Sequence, residues 1–125
     1  MPIREPEEFH QRFAEAVNSG DLTALSDFYE SHARLVPQWS GSPVIGAAAI
    51  RGHFQSLLAL KGRMQVETTN VSKAGDLALL RSKWSVTGVG PAGEPTEMHG
   101  ESVEVLRRQS DGYWRAVIDL PFGSE

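Results

Sequence analysis

The sequence predicts a single α+β domain, 1–125, in which helices from the first half of the chain cover one face of an antiparallel sheet built by the second half. Three observations predict it. Up to about residue 60, apolar residues recur at three- and four-residue spacing, the period of one helical face. Beyond that point they alternate, as on half-buried strands. The last quarter holds two strand-like runs, 101–108 and 113–120, on either side of the turn-forming Ser110-Asp111-Gly112, which marks a hairpin. A chain of 125 residues buries about 65–70% of its unfolded surface, enough for one core without a metal or disulfide staple.

Over residues 6–18, Phe9, Phe13, Ala14, Ala16 and Val17 share a helical face. Ser19-Gly20 stops that helix, because glycine accepts the left-handed turn. Asp21 is placed to cap a short second helix running through Leu22, Leu25, Phe28 and Tyr29. Ala33-Arg34-Leu35-Val36 reads as a short strand ended by Pro37, whose nitrogen has no hydrogen for a ladder. Residues 37–46 form a Ser/Gly/Pro loop with Trp39 at its middle. A third helix over about 47–60 carries Ile50, Phe54, Leu57 and Leu58 on one face, and Gly62 ends it. A strand meander follows. Residues 65–71 alternate weakly, Ala74-Gly75-Asp76 turns the chain, and 77–87 places Ala78, Leu80, Ser82, Trp84 and Val86 on one parity. A Gly/Pro loop, 88–95, leads to the hairpin.

Composition removes several classes of function. The chain has no cysteine, which excludes a disulfide framework, a zinc-thiolate site and a cysteine nucleophile. Its formal net charge is -4, and no basic run exceeds Arg107-Arg108, so a nucleic-acid partner is not expected. The start, MPIREPEEFHQRF, lacks the basic opening and apolar stretch of a secretion signal, and no apolar run reaches a spanning length. A cytoplasmic protein without a membrane partner is the expectation. His10, His32, His53 and His99 lie on separate elements with no metal-ligand spacing, so neither a metal nor another cofactor is expected. No serine sits in a Gly-x-Ser-x-Gly elbow. The glycines of Val89-Gly90-Pro91-Ala92-Gly93 suit a hairpin turn better than a phosphate cradle, because no helix follows to offer its N-terminus.

The residues themselves point to a pocket. Glu104, Arg115 and Asp119 stand among apolar neighbours, where a charge needs a partner or a solvent-filled cavity. Glu104 and Asp119 are the candidate acid-base residues, in a buried network with Arg115, because burial beside an opposite charge perturbs proton affinity. Trp39, Phe54 and Trp84 are candidate apolar walls, with Arg115, His53 and His99 as candidate polar contacts. For Trp84 a core role competes with the pocket role, and for the charged trio so does a solvated cross-strand salt bridge.

The series FAEAVNSGDLTALSDFYESHARLV, SPVIGAAAIRGHFQSLL and EVLRRQSDGYWRAVIDLPFG resembles the SnoaL-like and DUF4440 branch of the nuclear transport factor 2 superfamily, which also holds ketosteroid isomerases and limonene epoxide hydrolases. The resemblance implies a cone: three helices packed into a strongly curved, mixed or antiparallel sheet, with a pocket at the open end. It also implies a homodimer through the outer sheet face. Carried over residue by residue, the isomerase base position falls on Pro37 and its helix phenol on Phe13, with only Glu104 as a counterpart for the second donor. Without base and phenol, that chemistry has lost its proton acceptor and its strongest hydrogen bond to the enolate, and ketosteroid isomerase chemistry is not expected. Asp119, Arg115 and Glu104 share the residue types of the hydrolases' water-positioning trio. The family's strand parity turns Ser102, Glu104, Arg115, Val117 and Asp119 toward the cavity. The functional expectation is a pocket for a hydrophobic or polyketide-like small molecule, with isomerase, cyclase or hydratase-like chemistry as candidates. The alternative is a non-catalytic dimerising or ligand-binding module with a vestigial pocket.

Overall fold

The computed structural model describes residues 2–37, 42–90 and 92–123. A 3-10 turn, Pro6–Glu8, leads into helices α1, Phe9–Ser19, and α2, Leu22–Asp27. Strand β1, Tyr29–Leu35, and the two-residue β2, Val44–Ile45, precede helix α3, Ala47–Ala59. Four strands complete the chain: β3, Arg63–Ala74; β4, Leu77–Val89; β5, Pro95–Arg108; and β6, Trp114–Leu120. All six strands form one sheet in the order β2-β1-β6-β5-β4-β3, in which only the β1–β6 pair is parallel.

Local chemistry accounts for the breaks. Gly20 adopts the left-handed conformation (φ 71°, ψ 28°) that closes α1, and the Asp21 carboxylate accepts from the Ala24 amide at 3.0 Å to open α2. The second helix stops earlier than its apolar spacing indicates. The Ala116 amide of β6 donates to the Phe28 carbonyl at 2.7 Å, and Tyr29 starts β1 instead of extending α2. Strand β5 is longer than expected, beginning at Pro95, because it pairs with β4 along its whole length despite a poor strand composition over 95–100.

Three register irregularities interrupt the sheet, one of them between Tyr29 and Arg34 where β1 runs parallel to β6. In β3, Thr68 faces Ser82 and Asn70 faces Arg81, leaving Thr69 as an extra residue. In β6, Ala116 faces Leu106 and Ile118 faces Val105, leaving Val117 as another. Such bulges bend a strand and increase its twist. Helix α1 is fastened across the curl by Asn18, whose side-chain amide donates to the Met64 carbonyl at 3.0 Å and accepts from the Met64 amide at 2.7 Å. That pair also uses backbone groups which edge strand β3 would otherwise leave open. The solid core lies at the narrow end of the cone, where Phe9, Leu25, Leu35, Ile50, Leu80 and Leu106 are sealed from solvent. Among the described residues, no helix is long and apolar enough to cross a membrane.

Candidate functional site

Beyond that core the helices and the inner sheet face enclose a cavity of about 660 Å3. Phe13 of α1, Phe54 and Leu57 of α3, Trp84 and Val86 of β4, and Phe122 after β6 supply much of its wall. The Trp84 indole donates to the Pro121 carbonyl at 2.7 Å and packs edge-on against Phe122, with ring centres 5.4 Å apart. Gly100 makes room for both rings, since a Cβ there would lie 2.9 Å from Trp84 Cζ2 and 3.1 Å from Phe122 Cδ1. All five buried polar or charged side chains among the described residues, His10, Ser82, Ser102, Glu104 and Asp119, line this one cavity. Burying a polar group without a partner is costly, so their convergence marks the place where this fold departs from simple packing.

Glu104 on β5 and Asp119 on β6 are cross-strand neighbours. His10 Nε2 lies 2.7 Å from Glu104 Oε1, and its Nδ1 lies 2.8 Å from Thr68 Oγ1 on β3. On the other side, the Tyr29 hydroxyl of β1 donates to Asp119 Oδ2. Two hydrogen-bonded groups, Thr68–His10–Glu104 and Tyr29–Asp119, therefore meet at the cross-strand pair of acids, and His10, Glu104 and Asp119 of them line the cavity. Burial, and then the Glu104 charge beside it, push the Asp119 carboxyl well above the ordinary carboxylate range. The site thus favours its neutral form. Asp119 Oδ2 accepts from Tyr29, while Oδ1 is buried without a hydrogen-bond partner among the described residues. Burial and the neighbouring Asp119 likewise raise the Tyr29 phenol, which stays a donor. These side chains do not constitute a metal-holding group among the described residues.

The structure brings together Glu104, Asp119, Phe54, Trp84 and His53, all of which line the cavity. His53 sits half-buried with its ring edge-on to Phe54, and desolvation lowers its pKa from the ordinary 6.5. Two expected contacts stand elsewhere. His99 projects from the outer face of β5, exposed, 3.7 Å from Glu97. Arg115 donates to the Asp27 carbonyl at 3.1 Å and to Asp111 at 3.3 Å, lining a separate polar groove with Glu30 and Arg51. The cause is the extra residue Val117: strict alternation from Asp119 would turn Arg115 inward, but the bulge reverses the phase and points Trp114 and Ala116 there instead. The hydrolase-like trio is therefore not assembled. Trp39 lies outside the described residues.

Three participants escaped the sequence reading. His10 shares the spacing i, i+3, i+4, i+7 with Phe13, Ala14 and Val17, which would have put it on the buried face of α1. Tyr29 reads as part of a helical seam until its strand is seen. Thr68 carries no local signal.

A curled sheet covered by helices on its concave face, with polar groups gathered inside an apolar hollow, defines the class of nuclear transport factor 2-like cones. Residues 10–117 match the family model described as the SnoaL-like domain, and the chain belongs to that family. A conserved protein from Planctomyces limnophilus superposes with a TM-score of 0.83 at 16% identity, covering 93% of this chain and 91% of the other. A ketosteroid isomerase-like protein from Erwinia carotovora atroseptica gives 0.78 at 21% identity, covering 91% and 89%. A nuclear transport factor 2-like superfamily protein from Salmonella enterica serovar Typhimurium gives 0.77 at 15% identity, covering 94% and 87%. At these identities the likeness speaks for the fold. No curated protein matches the sequence.

Proposed function

We propose that this chain binds a small, largely apolar ketone, such as a polyketide-like ring system, and transfers protons at the carbon beside the carbonyl. Isomerase, cyclase and hydratase-like lyase reactions share that step. The observation that carries the reading is the Glu104–Asp119 pair: two buried carboxyls, side by side, one favouring its neutral form, on the wall of an apolar cavity. Like charges so placed cannot both ionise cheaply, so one proton stays with the pair. A neutral acid beside an ionised one is the equipment for enolisation.

Glu104, oriented by His10, takes the proton from the carbon next to the carbonyl. The C–H electron pair becomes the new carbon–carbon double bond, and the carbonyl oxygen takes the proton from Asp119 Oδ1. Tyr29, hydrogen-bonded to Oδ2, stabilises the charge left on Asp119. Return of the proton at a different carbon gives an isomer, attack of the enol on a second carbonyl closes a ring, and expulsion of a neighbouring hydroxyl completes a loss of water. By the family resemblance Phe13 and Pro37 fall at the phenol and base positions of the ketosteroid isomerases, so in this reading the acid-base work falls to a different set of positions.

Hydrogen–deuterium exchange at C2 of 1-tetralone in heavy water, followed by NMR, tests the reading. Wild type is expected to accelerate exchange by about 100-fold or more over buffer, Glu104→Gln to abolish the acceleration, and Asp119→Asn to reduce it sharply. No acceleration by the folded wild type overturns it. A dimerising module without chemistry is the competing reading, favoured by the outer-face row of Leu79, Val105 and Ile118, in which Leu79 and Ile118 are each 37% exposed. A folded dimer that leaves the exchange rate at the buffer value would favour it.

A further inference from the structure

Ser82 on β4 and Ser102 on β5 face each other across the inner sheet, with their hydroxyl oxygens 2.6 Å apart. They are 2% and 4% exposed, and both line the cavity. Two hydroxyls hold two O–H hydrogens, and their mutual bond uses one. No acceptor for the second is found among the described residues, where the mutual contact is the one hydrogen bond of either serine side chain. A pair of alanines would fill this strip of sheet without burying hydroxyls. Ser102 also precedes Glu104 by two residues on the same strand, so the pair and the acid site share one face at a separation of about 7 Å.

We propose that Ser82 and Ser102 form a second polar contact in the cavity, selecting ligands that carry another oxygen one ring away from the carbonyl held at Asp119. This rests on the carbonyl-binding reading above and narrows its substrate class to oxygenated ring ketones, in which a hydroxyl or second carbonyl lies across one six-membered ring from the first. The free O–H of the pair donates to that oxygen, and the surrounding apolar wall, Trp84 on β4 among it, holds the ring between the two contacts. A ligand without the second oxygen leaves the serine hydrogen unpaired, which is where discrimination arises.

The test compares 1-tetralone with 6-hydroxy-1-tetralone, the same ketone with a hydroxyl across the aromatic ring, by calorimetric titration of the full chain. Wild type is expected to bind the hydroxylated ketone roughly tenfold more tightly. The double variant Ser82→Ala/Ser102→Ala is expected to lose that preference, binding 1-tetralone at least as tightly as wild type and the hydroxylated ketone no better than 1-tetralone, its melting curve confirming the fold. Equal binding of the two ketones by wild type, or a preference that survives in the double variant, overturns the serine contact and leaves the carbonyl site standing. Binding of neither ketone removes the carbonyl site, and this inference with it.

Discussion

The inner faces of β4 and β5 change character along their length. Toward one end Ala78, Leu80 and Leu106 are 2%, 0% and 0% exposed, packed in a cluster with Phe9, Phe28 and Leu35. Toward the other, Trp84 and Val86 are half-buried and Met98 is 44% exposed, although they share the same strands and the same parity. What differs is what stands opposite: helix side chains in the first region, empty volume in the second. Ser82, Ser102 and Glu104 occupy the junction between the two, joined there by Asp119. That position is where water is nearly excluded and a ligand can still arrive, which is what perturbed acids require to be of use.

Substitution along β4 is the most forceful way to break this contrast. Leu80→Ala opens a hole in filled space and is expected to cost about 2–5 kcal/mol in urea denaturation, whereas Val86→Ala, facing volume already empty of protein, should cost under about 1 kcal/mol. Similar losses at the two positions would erase the distinction between a solid end and a hollow one.

A smaller effect is expected at the junction. The folded state raises the pKa of Asp119, so its contribution to stability is fully present below the unfolded value of about 3.9 and is lost as pH rises through the folded value. Asp119→Asn does not titrate. It should therefore gain stability relative to wild type as pH rises, seen as diverging melting temperatures across a pH series, while its exchange activity falls. A variant that loses ground with rising pH would mean that Asp119 is ionised in the fold.

The least effect is expected at the mouth. Desolvation lowers the pKa of His53, so its contribution is present above about 6.5 and is lost as pH falls through the lowered value. His53→Gln should flatten a shallow acid-side decline in melting temperature and do nothing above neutrality. An unchanged acid-side slope would sharpen the contrast by placing all of the pH response at the junction.

The architecture was legible because each local cue agreed with the others: Gly20 and Asp21 at the first helix boundary, the Ile50–Phe54–Leu57 face of α3, and the Ser110-Asp111-Gly112 turn, where Gly112 takes φ 86° and Asp111 accepts from the Tyr113 amide at 3.0 Å. Glu104 and Asp119 were legible as charges set among apolar residues. Arg115 misled for a physical reason, since a period-two reading has no means of seeing an unpaired residue such as Val117, which is neither glycine nor proline. The partners of the two acids were hidden because they come from distant elements, His10 lying 94 positions from Glu104 and Tyr29 lying 90 from Asp119. Only the fold sets them side by side.

The surplus residue in β6 has a consequence for how such a chain can vary. Remove Val117 and the strand alternates perfectly, with Trp114, Ala116 and Asp119 turned the same way as before. What would alter is the bend, and with it the aperture of the cone. Shortening by one position here would therefore resize the entrance while leaving the aim of the acid untouched, so that the gauge of the ligand and the chemistry done on it are free to change independently.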